Sequence, residues 1–481
     1  MAQVVLVYPI TGLDVRGLSV WLPLSVLAVA SGVADAYDVV VVDQRVDPDW
    51  RRSLKKALGP ETLCVGISSM TGSQILHGLE AARQVRDAAP DLPIVWGGNH
   101  PTLAAAQTAE HSLVDIVVIG EGEKTFRLLV DALKAGKDWR AIPNIAYKSE
   151  GRAVVQGDAY DFVDPERMEE MPYHLVDVEK YVAGRALFGR PVRSLPFITS
   201  FGCPYACTYC CQPVLSNRRW RRMSPELAAR RASALAERYG LDAIEFHDEE
   251  FFVDRRRGTR IAESIGGAFS WYVQTRMDDL LALDLPALEK NGLCAVQPGL
   301  ESGSDRILKL VRKQETVAQY RAANSALART GIQATYNFMM GFPTETPEDL
   351  NSTVDLALEL LDANPNARVA GFYVFVPYPG SELYDLAIKE GFVAPAGFED
   401  WSRYNRQHIA APWLLDRRAL KFLMLTSKFI DGKRLSRALP NFLFPKMILP
   451  RVARRYRNLW EKHDFRPPWD VELLSLASRL I

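Results

Sequence analysis

Cys203, Cys207 and Cys210 lie in Phe201-Gly-Cys-Pro-Tyr-Ala-Cys-Thr-Tyr-Cys-Cys211, a C-x3-C-x2-C spacing inside one short loop. Three thiolates so placed can hold three irons of a 4Fe–4S cube and leave the fourth iron without a protein ligand. An open iron suits a catalyst, because a small molecule can bind there. Zinc uses the same residue types, but a structural zinc site takes four ligands. The chain offers neither a second C-x2-C nor a nearby His pair. A disulfide framework is out of keeping with six cysteines in 481 residues. Cys211 cannot easily serve the same cube as its neighbour and reads as a small packed hydrophobe. Cys64 and Cys294 sit in apolar runs and read as core.

Length and composition indicate two or three domains of a soluble globular protein. No apolar run approaches the ~20 residues that span a bilayer. The cysteine usage fits a reducing cytoplasm. Lysines and arginines balance aspartates and glutamates at 58 each, but unevenly along the chain. From Arg403 to Arg466 there are sixteen basic residues against four acidic ones.

Residues 1–145 alternate strands and helices. Strands are expected at 4–8, 39–42, 63–67, 94–96 and 116–119, and helices at 22–33, 75–88 and 123–135. Continuous β-branched runs between helices imply a parallel sheet covered on both faces. Ligands on such sheets bind beyond the carboxyl ends of the strands. Three of those ends read Ser68-Ser-Met-Thr71-Gly, Gly97-Gly98-Asn-His and Gly120-Glu121-Gly-Glu. Small residues there let a large flat ligand approach the backbone. No G-x-G-x-x-G follows the first strand, which argues against a dinucleotide.

Residues 146–195 carry Asp158, Asp161, Asp164, Pro165, Pro172 and Pro191 and read as a linker. Residues 196–400 form a second α/β array. Its strands are expected at 197–200, 243–247, 271–274, 294–300, 333–340 and 371–376. Its helices are expected at 225–239, 257–266, 285–291, 304–312, 317–330 and 346–362. Residues 401–481 are basic and mostly helical. Arg417–Ile430 is an amphipathic helix, Phe442–Leu449 is apolar and Arg451–Arg457 is basic. The segment reads as a lid or substrate region; the alternative is a peripheral membrane patch. Nucleic acid is not expected, since no reading motif accompanies the charge.

The cysteine spacing, with Tyr209 before the third cysteine, resembles the radical S-adenosylmethionine (SAM) superfamily. The resemblance implies an incomplete parallel barrel of six βα units, with SAM on the open iron. The polar strand ends follow the family's pattern. Asp248-Glu249-Glu250 occupies the place of a motif for the SAM amino group. Gln274 and Glu301 would hold ribose hydroxyls or the ammonium, and Lys313 or Arg312 the carboxylate. Gly341-Phe-Pro-Thr-Glu345 is a further family signature. The small-residue trio of the first domain resembles the cobalamin-binding domain that precedes many such barrels. There Ser68, Thr71, Gly97, Gly98, Gly120 and Glu121 would line the cofactor channel. Many cobalamin domains carry D-x-H-x-x-G; here Asp43-Gln-Arg-Val-Asp47 has no histidine, so cobalt would lack a protein imidazole. His77 reads as helical and His100 as part of the Gly-Gly loop.

The resemblance implies a cobalamin-dependent radical SAM methyltransferase acting on an unactivated carbon of a natural-product or lipid-like small molecule. It would be served by a flavodoxin- or ferredoxin-type electron donor and is expected to be monomeric. A cyclase or rearrangement enzyme, resembling the anaerobic Mg-protoporphyrin monomethyl ester cyclase group, is the enzymatic alternative. A cobalamin- or redox-sensing module is the non-enzymatic one.

Overall fold

The computed structural model describes residues 3–12, 14, 20–157, 161–185, 192–404, 411–414, 416–427, 430 and 443–466; for 183–185 and 443–450 it describes the backbone alone. Asp158, Pro191 and the side chains of the apolar stretch Phe442–Leu449 lie outside the described residues. The chain divides into two compact units.

The first unit is built on β1 (Val4–Tyr8), β2 (Val39–Asp43), β3 (Cys64–Ser68), β4 (Ile94–Gly97), β5 (Ile116–Val118), β6 (Ile145–Ser149) and β7 (Arg152–Gln156). Their order in the sheet is β2-β1-β3-β4-β5-β6-β7. The first five run parallel and the last two antiparallel. Val4, Val5, Val7, Val65, Ile94 and Ile116 are fully buried, as a sheet covered on both faces requires. Val26, Phe126 and Leu129 press on one face from helices Leu24–Ser31 and Gly122–Lys134. The hairpin of β6 and β7 lies where the linker was expected to begin. Ile145, Ala146 and Tyr147 are buried there, so it belongs to the sheet.

Residues 393–404, which follow the second unit's strands, also belong to the first unit. Trp401 is buried and donates from Nε1 to Gln107 Oε1 at 2.7 Å, and Gln107 Nε2 donates to the Pro395 carbonyl at 3.0 Å.

The second unit's sheet contains β8 (Ala183–Arg185) at its edge, then β9 (Val192–Phe197). Between them and the next long strand lies a small ribbon of β10 (Ser200–Phe201) and β11 (Arg221–Arg222). The sheet continues with β12 (Ala243–Phe246), β13 (Ser270–Val273), β14 (Leu293–Val296), β15 (Gly299–Glu301), β16 (Gln333–Met340) and β17 (Ala367–Val374). From β9 to β17 every pairing is parallel, in the order β9-β12-β13-β14-β16-β17. β15 continues along the same side of β16 as β14. The strand expected at 197–200 is β9, which ends at Phe197. Its buried Val192, Ser194 and Leu195 are interrupted by exposed Arg193 and by Pro196, which hides the pattern.

Helix Pro225–Tyr239 starts at Ser224, whose side chain accepts from Leu227 N, and stops at left-handed Gly240. Helix Pro347–Ala363 opens on a capping box of Thr346 and Asp349. Helix Arg417–Thr426 packs on β17, and Trp460, in helix Leu443–Glu461, stacks edge-on against Phe372 at 5.0 Å. The described C-terminal residues therefore cover β17 and helix Pro347–Ala363. Among the described residues no helix is long and apolar enough to cross a membrane.

Candidate active site

The cysteine loop leaves β9 and is pinned from outside. Thr208 N donates to the Val311 carbonyl at 3.0 Å, and Thr208 Oγ1 to the Leu310 carbonyl at 3.2 Å. Leu383 N in turn donates to the Thr208 carbonyl at 2.9 Å. Between these anchors Cys210 N closes a turn onto the Cys207 carbonyl at 3.1 Å. Cys203, Cys207 and Cys210 are free, half-buried and near enough to act on one another electrostatically. Burial pushes the Cys203 thiol up to about 12 and raises Cys207 as well. Three buried thiolates are costly unless metal shares their charge, so the donor set fits an iron–sulfur cluster. Cys211 hydrogen-bonds Cys210, which lowers its own pKa. Cys64 is core as expected; Cys294 is only half-buried and donates from Sγ to the Trp271 carbonyl at 3.1 Å.

Beside the loop lies a charged cluster. Tyr209 donates from its hydroxyl to Glu301 Oε1 at 2.8 Å, and Lys313 Nζ donates to the same oxygen at 3.2 Å. Lys313 also lies 3.7 Å from Glu315, which Arg276 approaches at 3.7 Å. Burial opposes charge on Lys313, but Glu301 and Glu315 outweigh it and raise its pKa. Glu301 holds a left-handed backbone, φ 64°. A Cβ on Gly299 would meet Glu301 Oε1, so any larger residue there would have to displace that carboxylate. Arg312 points away and pairs with exposed Glu382 at 2.7 Å. The geometry thus separates the two cations left open by the sequence: Lys313 is inward and Arg312 outward. Gln274, at the end of β13, is exposed, with no side-chain hydrogen bond among the described residues. Glu249 accepts from Gln212 Nε2 at 3.1 Å, two residues beyond Cys210. Its neighbour Asp248 is buried and accepts from Thr199 N, Thr199 Oγ1 and Ser200 Oγ at 2.6–2.7 Å, a structural knot at the loop's entry.

Sequence reasoning missed Glu315 and the packing of the Arg276 guanidinium over the Tyr205 ring, 4.1 Å away. Glu315 reaches the site because Arg312 and Gln314 both take positive φ, 50° and 60°. Nothing in Arg-Lys-Gln-Glu signals that path.

In the first unit the strand ends come together as expected. Ser69 N donates to the Gly97 carbonyl at 2.9 Å, and His100 N to the Ser69 carbonyl at 3.2 Å. Gly98 has φ 97°, and a Cβ there would stand 2.8 Å from the Ser69 carbonyl oxygen. Gly120 N donates to Thr102 Oγ1 at 3.0 Å. Ser68 Oγ lies 2.9 Å from Ser25 Oγ, and Thr71 Oγ1 lies 2.9 Å from His100 Nδ1. This backbone-lined edge fits a bulky planar ligand. Glu121 is turned to the Val163 N–H, which donates to it at 2.8 Å. His77 is helical; His100 falls in the short helix Asn99–Leu103. Where a cobalt-binding histidine was sought, Asp43 and Arg45 clasp each other at 2.7 Å, and Tyr181 donates to Asp43 at 2.9 Å.

Residues 13–130 match the B12 binding domain and residues 197–357 the Radical SAM superfamily. An uncharacterized methyltransferase of Pyrococcus horikoshii is 29% identical over 92% of this chain and 91% of its own length. An anaerobic magnesium-protoporphyrin IX monomethyl ester cyclase of Rubrivivax gelatinosus is 26% identical over 74% of this chain, which spans 63% of that relative. In fold, the chain is similar to the cobalamin-dependent S-adenosylmethionine radical enzyme OxsB, with TM-score 0.72, 18% identity and coverage of 96% of this chain and 72% of that one.

Proposed function

We propose that this chain, a radical SAM enzyme carrying a B12-binding domain, moves a methyl group from cobalamin to an unactivated carbon of a small natural-product or lipid-like molecule. The observation that carries the reading is the three-cysteine loop anchored beside the Glu301–Lys313 pair on a chain that also holds the glycine-rich strand-end cradle. The domains call for a 4Fe–4S cluster, SAM and cobalamin. When bound, cluster and SAM supply a radical able to abstract hydrogen, and methylated cobalamin supplies the methyl group.

The chain's own part is to hold and orient. Cys203, Cys207 and Cys210 would ligate three irons. Lys313 would offer its ammonium to the SAM carboxylate, and Glu301 its carboxylate to the SAM ammonium or ribose hydroxyls. Tyr209 fixes Glu301, and Gln274 offers an unengaged amide. Glu249, steadied by Gln212, would serve the same amino group. Ser68, Thr71, Gly97, Gly98, Gly120 and Glu121 would line the cobalamin tail. With Asp43 and Arg45 locked together, no protein imidazole would reach the cobalt from their side. A flavodoxin- or ferredoxin-type donor would reduce the cluster.

Anaerobically reconstituted enzyme, incubated with SAM, hydroxocobalamin and an extract of its own cells, should yield a product heavier by one methylene. The likeness to the Rubrivivax cyclase favours a second reading, in which the product is lighter by hydrogens. Loss of hydrogens without methyl gain would overturn methyl transfer in favour of that reading.

A further inference from the structure

His100 is wholly buried, and burial pushes its pKa down to about 3. Its ring stacks on Phe398 at 5.6 Å and leans on Trp401 at 5.4 Å. Phe398 meets Trp96 edge-on at 5.0 Å, and Trp401 and Pro395 are tied to Gln107 by the bonds given above. Residues 395–401 therefore strap the imidazole in place from a sequence distance of nearly 300 residues. The ring is neutral and carries one N–H. Nδ1 lies 2.9 Å from Thr71 Oγ1, and Nε2 has no hydrogen-bond partner among the described residues. A buried N–H without an acceptor is rarer and costlier than a bare lone pair. The proton thus belongs on Nδ1, donated to Thr71 Oγ1. The Thr71 hydroxyl accepts that bond, and its own hydrogen is left for another acceptor. Thr71 is half-buried on the loop beyond β3.

We infer that His100 is a positioning residue: it makes the Thr71 hydroxyl a dedicated hydrogen-bond donor to an amide-carbonyl or phosphate oxygen of bound cobalamin, and residues 395–401 hold it there. The inference rests on the reading of the first unit as the cobalamin site.

The test measures hydroxocobalamin affinity by equilibrium dialysis on the holoenzyme, with cluster iron as the control for folding. Thr71→Val should bind about tenfold more weakly, one hydrogen bond's worth. His100→Phe keeps the ring and removes the donor, and it should lose the same factor. The double variant should be no weaker than either single one. His100→Asn places an amide N–H near the Nδ1 position and should bind like wild type; it also serves if the phenylalanine variant loses iron. Additive losses, unchanged binding by His100→Phe, or an asparagine variant as weak as Thr71→Val would overturn the inference. Failure of the wild type to bind hydroxocobalamin would instead overturn the cobalamin reading itself.

Discussion

Replacing Lys313 by Met tests the charged cluster beside the cysteine loop. The substitution preserves length and removes the ammonium. Glu301 and Glu315 are then left at 8% and 0% side-chain exposure, with Arg276, 3.7 Å from Glu315, the only counter-charge among the described residues. Removing one partner of a buried ion pair costs about 3–5 kcal/mol, because the remaining charge stays desolvated. The second unit has ~280 residues, so its unfolding entropy near Tm translates that loss into a fall of ~5–8 °C. Adding Glu315→Gln removes the stranded carboxylate and should restore at least half of the fall. Anaerobic calorimetry of the single and double variants reads both effects. SAM affinity, measured by dialysis, should stay weak in the double variant, because the carboxylate partner is still missing. A fall under 2 °C, or a double variant less stable than the single, would refute the claim that Lys313 is held by mutual neutralisation.

Cys203→Ala, Cys207→Ala and Cys210→Ala should each abolish iron near four per chain and stop SAM cleavage, whereas Cys211→Ala should keep the iron; loss of iron from the Cys211 variant alone would reverse the ligand assignment. Burial raises Glu345 to about 8. Its folded state therefore holds a proton more tightly than the unfolded chain, and stability is lost as pH rises from about 4.5 to about 8. Glu345→Gln should raise Tm at pH 8 and change it little at pH 4.5; equal shifts at both values would contradict this. Trp460 is fully buried against Phe372 and donates to Thr426 Oγ1 at 3.0 Å. Trp460→Ala should cost about 3–5 kcal/mol, and truncation before Arg417 should lower Tm. A truncated enzyme with unchanged Tm would show that the C-terminal helices are not part of the second unit's core.

The sequence displays strongly what depends on short-range pattern. Runs such as Val4–Tyr8 and Val39–Val42 announce buried parallel strands because both faces are covered. The spacing of Cys203, Cys207 and Cys210 is likewise local, and it is what the proposed cluster site rests on. Features set by distant contacts are silent. Residues 146–156 read as the start of a linker because their alternation is weak, yet pairing of β6 with β5 and of β7 with β6 makes them sheet. Glu315 enters the site through two left-handed residues that no local propensity foretells. The expected boundary at residue 400 falls between Phe398 and Trp401, yet both pack together against Trp96 and His100. Among the proposed SAM contacts, the pairing of Tyr209 with Glu301 is implied by neither position, since 92 residues separate them.

The strap over His100 has a consequence for biosynthesis. The first unit's seven strands are all made by residue 156, but its Trp96–His100 surface is closed only by residues near 398–401. At ~5–20 residues per second of synthesis, some 250 residues of delay leave that surface bare on the ribosome for roughly 10–50 seconds. The nascent domain must wait, half-finished and sticky, while most of the second unit is translated. A fragment ending near residue 185 should be captured by chaperones or precipitate, and a peptide spanning 393–404, supplied in trans, should keep it in solution.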